Sequence, residues 1–536
     1  KTQCRKPDVV KEQLRAAHRD LVERGFMKKL SQLTDAQQEV VRSAPFRHFY
    51  LWRAVFKDGS QSTPVRIVVD PSATGLNQIL AKGVNMLTRI PEVLIQFRSN
   101  EEAWASDISK MYNRLELTDA ALPYSLFLYS EDLNELQDPE TYVMVTAWYG
   151  VSSTGNQANI AIDRLWERHG KELPDAVSPL SDHRYMDDID SGSSTRAKVD
   201  DQVTQVAECL RRGGFQSKFV AHSGETPPEA ASGDQVHVGV LGILWDTRYD
   251  MLGLGHKPMN LEKKVRGAKA PPKVDVTSPE GLQTAFAAGL ITRAGVLSRV
   301  AECYDPAGWF EPLKLSMKLW LSALNTLGWE DPVPAEYHED WIRLFSFMED
   351  ARECKLPRCI KPLEAGDKVR LLCLADAAEF AGGCAIYAGY EMANGSFSCR
   401  LVYAKSRLMK SSVPRNELEA ILMAAEASLV VQKALGDKVG DVLYFTDSTI
   451  ALCWVLNQSK KLRMWCHNRV REIHNAIRWV VGGVPTYPLF HIDGTANLAD
   501  MVTKPMELCK QDIDEKSAWQ TGLPWMTLPT DQLPKE

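Results

Sequence analysis

Seven acidic residues carry most of the chemical information in this 536-residue sequence: Asp107, Asp187, Asp188, Asp376, Glu417, Asp447 and Asp500. The tetrapeptide Tyr185-Met186-Asp187-Asp188 is the most informative of all. Two adjacent aspartates in a plain strand point to opposite faces. In a tight hairpin one of them can face a metal ion while its neighbour supports it. Asp107 stands eighty residues earlier at a predicted strand end, with Tyr112 five positions on. The later acids form a second ordered series. Asp376 lies on a predicted strand, Glu417 early on a long helix, Asp447 at the end of a later strand and Asp500 at the start of a final helix. Glu419 competes with Glu417, two residues away on another helix face.

The elements that position these acids follow from apolar periodicity. Residues 8–42 read as mainly helical, with Leu14, Leu21, Val22 and Leu30 as the stripe. Val65 to Val69 is a β-branched strand stopped by Asp70-Pro71, and a short strand precedes Asp107. Residues 141–149 and 238–245 read as strands, Ala158 to Arg168 as a helix, and 199–212 as an amphipathic helix ended by Gly213-Gly214. The segment 267–280, with Pro271-Pro272, reads as a linker, and 281–350 as helix-rich. A new α/β pattern starts near 368. It has strands at 371–374, 383–387, 400–404 and 442–445, and helices at 415–435, 449–456 and 464–480.

The ordered boxes resemble the reverse transcriptases of Bel/Pao-type LTR retrotransposons. The residues that carry the likeness are Thr63 to Asp70, Asp107-Ile108-Ser109-Lys110-Met111-Tyr112, Tyr149-Gly150, Tyr185 to Asp188 and Gly213-Gly214-Phe215. Ala404-Lys405-Ser406-Arg407, Thr446-Asp447-Ser448-Thr449 and Ala499-Asp500 resemble the ribonuclease H domain of the same polyproteins. The resemblance implies an α+β chain: a right-hand polymerase of fingers, palm and thumb, followed by a ribonuclease H-like α/β domain. It implies an RNA-directed DNA polymerase and a hybrid-cleaving nuclease, each using two Mg2+ (or Mn2+) ions per active site to clamp attacking and leaving oxygens. Asp107, Asp187 and Asp188 would be ligands of one site, and Asp376, Glu417, Asp447 and Asp500 of the other. Arg66 would hold the incoming triphosphate, Tyr112 would sense the sugar 2′ position beside Tyr149-Gly150, and Lys218 would protonate the leaving pyrophosphate. One departure stands out: Gly155-Asn156 occupies the place of a Pro-Phe pair in relatives.

The implied partners are an RNA template, a DNA primer, the RNA–DNA hybrid, dNTPs and other polyprotein products. The net charge of −6 gives no hint of them. Local charge does. Residues 251–273 carry six bases against Glu262, among them Lys263, Lys264 and Arg266. Residues 455–480 carry six against Glu472, among them Lys460, Lys461 and Arg463, with Trp465 available for stacking. Eleven cysteines with no CxxC pair disfavour a disulfide scaffold or a zinc site. No apolar run is long enough for a membrane helix, so an intracellular place, in cytoplasmic particles or the nucleus, is expected. The N-terminus carries neither a signal peptide nor a methionine, which points to a piece of something longer.

The expected organisation is an N-terminal helical segment (1–45), fingers and palm (46–250), a thumb-like basic segment and linker (251–280), a helical connection (281–365), a ribonuclease H-like domain (366–510) and a tail (511–536). Two rival readings remain. Asp190-Ser191-Gly192 matches the aspartic-protease triplet, and a domesticated, inactive relative would bind nucleic acid without turnover.

Overall fold

A computed structural model of the chain describes residues 7–56, 65–132, 139–232, 235–255, 276, 278–456, 461–481, 484–504 and 508–534, with side chains undescribed at 479–481 and 484. Residues 267–275 and 277 of the expected linker and six basic residues from Lys257 to Lys273 lie outside them, while the end of that linker begins helix Pro279–Ala287, capped by Ser278. So do Thr63, Pro64 and Lys460. Among the described residues no helix is long and apolar enough to cross a membrane.

The first carboxylates sit on a four-stranded antiparallel sheet ordered Arg184–Tyr185, Asp188–Ser193, Glu102–Ile108, Ser217–His222. Alternation sorts its two faces. Trp104, Ile108 and Ile189 pack against helices Thr154–His169, Pro174–Ser181 and Arg196–Arg212. Ala103 and Ala105 turn to the other face, where Val93, Leu94 and Phe97 of helix Ile90–Arg98 cover them. Gly213 caps the third helix, as its sequence predicts. Above this sheet, Trp52–Phe56 and Val65–Val69 form a hairpin. Val65, Ile67 and Val69 are buried and Arg66 is exposed. Helix Asp8–Glu23 and a small sheet of Met27–Lys29, Glu140–Met144 and Leu126–Tyr129 share its core. The 141–149 strand expected from sequence ends at Met144, before the chain turns through Gly150 at φ 103°.

The expected single strand over 238–245 is a hairpin. His237–Val240 and Ile243–Asp246 are joined by Leu241 and Gly242, both at positive φ. Such two-residue turns match strand twist. Met251–Leu254 and Leu356–Pro357 complete that sheet, so the start of the presumed thumb segment is a strand. Four helices follow, Pro279–Ala287, Arg293–Glu302, Glu311–Ala323 and His338–Glu353.

The last unit is a five-stranded mixed sheet ordered Phe397–Leu408, Ala381–Glu391, Val369–Ala377, Val439–Thr446, Leu489–His491. The first three strands are antiparallel, and the last two run parallel to Val369–Ala377. Helix Val413–Leu435 covers one face. The expected tail is instead packed into this unit. Trp519 is fully buried, and its indole N–H donates to the Trp309 carbonyl at 2.8 Å. Arg370 donates to the carbonyls of Met526 and Leu528.

Two buried guanidiniums join these parts. Arg358 is fully buried and grips both carboxylate oxygens of Asp250 at 2.7 Å. Its other N–H groups donate to the carbonyls of Phe97, Asn100 and Glu101. Arg98 donates to the carbonyls of Pro357, Arg358 and Leu401, the last on the five-stranded sheet, and lies 4.5 Å from the Trp309 ring centroid. Five rigid donors suit such multi-point contact. Arg358→Met leaves three carbonyls without their donor and Asp250 with the Trp245 indole N–H in place of a guanidinium. Chemical unfolding should register a loss of about 3–5 kcal/mol; a loss under about 1 kcal/mol would refute the joint's structural weight.

Candidate active sites

Asp107 and Asp188 are directly opposed in register across the first sheet, so their side chains share one face. Asp187 is exposed in the two-residue turn that joins Tyr185 to Asp188. The Ile108 N–H donates to the Asp187 carbonyl at 2.8 Å, which ties that turn to the strand of Asp107. Met186 holds φ at 59°, a left-handed value that costs a residue with a Cβ. Arg184 holds it there. Its buried guanidinium donates to the Met186 carbonyl (3.1 Å), Asn159 Oδ1 (2.6 Å), Asp163 Oδ1 (3.1 Å) and the Leu180 carbonyl (3.0 Å).

Crowding of like charge marks this face. The Asp188 carboxyl is pushed up to about 7, first by burial and then by Asp187 and Asp107, while Lys218 opposes the shift. Lys218 is therefore close enough for its charge to act here. The Tyr149 hydroxyl is pushed up to about 12 by burial and next by Asp187, with Arg66 acting the other way. Tyr112 shifts upward for the same two reasons, and its ring lies 4.9 Å from that of Tyr149. Asp107, Asp187, Asp188, Tyr112 and Tyr149 thus gather at one place, with Arg66 and Lys218 near enough for their charges to reach it. Gly150 fits because a Cβ there would stand 2.6 Å from the Val69 carbonyl oxygen. Asn77 clamps this corner, donating to the Gly150 carbonyl and accepting from the Ser152 N–H, both at 2.9 Å.

The Gly155-Asn156 departure has a local use. A Cβ on Gly155 would lie 3.3 Å from Met186 Cε and 3.7 Å from the Tyr112 hydroxyl, so the small residue leaves room for the turn. Asn156 donates to the carbonyls of Lys82 and Val84.

In the second cluster, Asp376, Asp447 and Asp500 each offer a ligand atom within 4.8 Å of the others. Ala375 and Thr446 are partners on parallel strands, which sets Asp376 and Asp447 side by side. Asp500 arrives on one tight helical turn, Leu498–Val502, rather than on the α-helix expected from sequence. Asn497 fixes that turn by donating to the Ala375 carbonyl and accepting from the Ala499 N–H. Glu417 is buried on its helix, pushed up to about 8 by burial and then by Asp376 and Asp447. Asp376 also rises, mainly through burial, though Thr503 donates to it. Glu419 is excluded as the fourth member, because Arg407 and Arg469 bind its carboxylate at 3.0 and 2.6 Å.

The donor set fits divalent cations. Glu417 Oε2 and Asp447 Oδ1 are buried without a hydrogen-bond partner, and neutralising charge is what such oxygens lack. Lys461 and Arg463 are exposed. Trp465 is half-buried, with the Arg415 and Arg469 guanidiniums 5.2 and 5.6 Å from its ring centroid. Lys263, Lys264, Arg266 and Lys460 fall outside the described residues.

Asp190-Ser191-Gly192 lies inside strand Asp188–Ser193, and Asp190 is only 2% exposed. A Cβ on Gly192 would sit 2.3 Å from the Glu102 carbonyl oxygen. A triplet sealed in a sheet does not offer its carboxylate to a water and a peptide bond, as an aspartic protease must.

Arg184, Asn77, Thr503 and Lys504 were not singled out from sequence. Only Thr503 and Lys504 carried a signal, their spacing of three and four after Asp500.

Residues 292–448 match the model of the Pao retrotransposon-like RNaseH-like domain, consistent with a Bel/Pao Pol region. The match contains Asp376, Glu417 and Asp447 and stops before Asp500. Foamy virus protease–reverse transcriptase structures share the fold at 13% identity. One in complex with an RNA/DNA hybrid has a TM-score of 0.53, covering 94% of this chain and 55% of the viral one. Another, with double-stranded DNA, has a TM-score of 0.50, covering 88% and 67%. The chain thus spans little more than half the length of the hybrid-bound relative. No curated protein sequence matches the chain.

Raised carboxyl values have a consequence for stability. A carboxyl that keeps its proton in the fold, but loses it near 4 when unfolded, favours folding at acid pH. That advantage disappears as pH rises toward 7 for Asp188 and 8 for Glu417. In EDTA the melting temperature should fall between pH 5 and pH 8, and Mg2+ should restore it. Glu417→Gln should flatten the slope; an unchanged slope would contradict the crowding of the second cluster.

Proposed function

We propose that the chain is the reverse transcriptase and ribonuclease H portion of a Bel/Pao-type retrotransposon polyprotein: a polymerase with fingers, palm and thumb, and a nuclease for the hybrid it leaves. The carrying observation is the second cluster, three aspartates with ligand atoms within 4.8 Å and an orphaned glutamate oxygen beside them. The convergence of Asp107, Asp187 and Asp188 on one face supports the polymerase half.

Two Mg2+ or Mn2+ ions per site would neutralise the charge that develops on the attacking and leaving oxygens. Asp107, Asp187 and Asp188 hold them in the first site, and Asp376, Glu417, Asp447 and Asp500 in the second. Arg66, exposed on its strand, binds the triphosphate of the incoming dNTP. Tyr112, braced on Tyr149, closes the space under the sugar 2′ position. Lys218 gives a proton to the leaving pyrophosphate. Arg184 acts through the turn, keeping Met186 and so Asp187 in place. The exposed Lys461 and Arg463 and the half-buried Trp465 line the hybrid near the nuclease site, with the 251–273 bases serving the same backbone. The RNA strand is chosen by its 2′-hydroxyls and the A-like shape of the hybrid. An RNA template, a DNA primer and other polyprotein products complete the partners, in cytoplasmic particles or the nucleus.

Primer extension on an RNA template with Mg2+ tests the first site. Asp187→Asn should lower the rate at least ~10³-fold, about 4 kcal/mol, and leave hybrid cleavage intact. Asp447→Asn should do the reverse. An unmutated chain that binds hybrid tightly yet extends no primer would sink the polymerase reading in favour of a binding module. Tyr112→Val should raise ribonucleotide incorporation; unchanged discrimination would remove its assignment as the gate.

A further inference from the structure

A cation already stands at the edge of the second cluster, paired with Asp500. Lys504 follows Asp500 by one helical turn and donates to its Oδ1 at 2.8 Å. Its charge also acts on Asp376, Asp447 and Glu417. The backbone that carries it is tethered to the site, because Thr503 donates its hydroxyl to Asp376 and its N–H to the Asp500 carbonyl. The Lys504 side chain itself is 51% exposed, so its end can swing without disturbing packing.

Asp500 cannot give the same oxygen fully to an ammonium and to a divalent ion. A metal that takes Asp500 through Oδ1 displaces Lys504 from that oxygen. Once displaced, the ammonium stays within a lysine's reach of the cluster, because Thr503 holds its backbone there. An RNA phosphate drawn to the same metals arrives beside it. We propose that Lys504 is an exchangeable counterion: it neutralises Asp500 while the cluster is empty, yields Asp500 to the metal, and then binds the phosphodiester of the RNA strand. The proposal rests on reading this cluster as a metal-dependent nuclease. An ion pair that never contacts RNA would give the first effect below but not the second.

The test uses the full chain carrying Asp187→Asn, so that Mn2+ binding followed by electron paramagnetic resonance reports the second cluster. Adding Lys504→Met should tighten Mn2+ binding roughly two- to fivefold, the worth of one half-exposed ion pair. The same change should weaken hybrid binding about tenfold, the worth of one charge-assisted hydrogen bond. The dependence of that binding on log salt should become shallower by about one. Lys504→Arg should restore hybrid binding. Unchanged or weaker Mn2+ binding in Lys504→Met, or unchanged hybrid affinity, overturns the proposal. If the Mn2+ signal of the parent does not fall in Asp447→Asn, the metal reading itself falls and takes the proposal with it.

Discussion

Like charges must be forced together before either site can exist. Two carboxylates a few ångströms apart repel, and burial strengthens the repulsion by removing water. The fold meets this constraint with backbone pairing. Asp107 faces Asp188 because two strands are in register, and Asp376 lies beside Asp447 because two parallel strands are. Side chains cannot drift apart when hydrogen bonds of a sheet fix their origins. Burial first, and then what remains of the repulsion, appears as carboxyls that hold their protons well above the usual range.

The supporting shell works by the same logic on a smaller scale. Arg184 spends its donors on one strained carbonyl and on the helix behind it. Asn497 and Thr503 fix the turn that brings Asp500 to the cluster, while Glu419 is neutralised by two arginines and kept out of it. Positioning by buried polar contacts is costly to lose because the freed groups have no water to turn to.

The seven acids were legible in the sequence because metal chemistry needs acids, and their order along strands and a helix is local information. Strand and helix identities followed from apolar alternation, as in Val65–Val69, where every second residue is buried. The choice between Glu417 and Glu419 was not legible, since it depends on Arg407 and Arg469, the latter fifty residues away. Arg98 and Arg358 gave no signal at all. Their partners are mostly backbone carbonyls, which every residue possesses, as much as 303 positions distant. The turn at Leu241-Gly242 was read through because apolar residues flank it on both sides. The 511–536 segment looked like a tail because Trp519 and Met526 bury singly, without a periodic stripe.

The guanidinium joint bears on timing. Arg98 and Arg358 link the helix beneath the first carboxylate sheet to a strand of the second unit, and Glu92 and Lys433 add an ion pair between the same two bodies at 2.7 Å. Units held this way move as one body. On the proposed function, the stretch of hybrid between the two clusters then has a constant length. Template destruction would trail synthesis by a fixed number of base pairs, a lag written into the protein rather than set by the relative speeds of the two reactions.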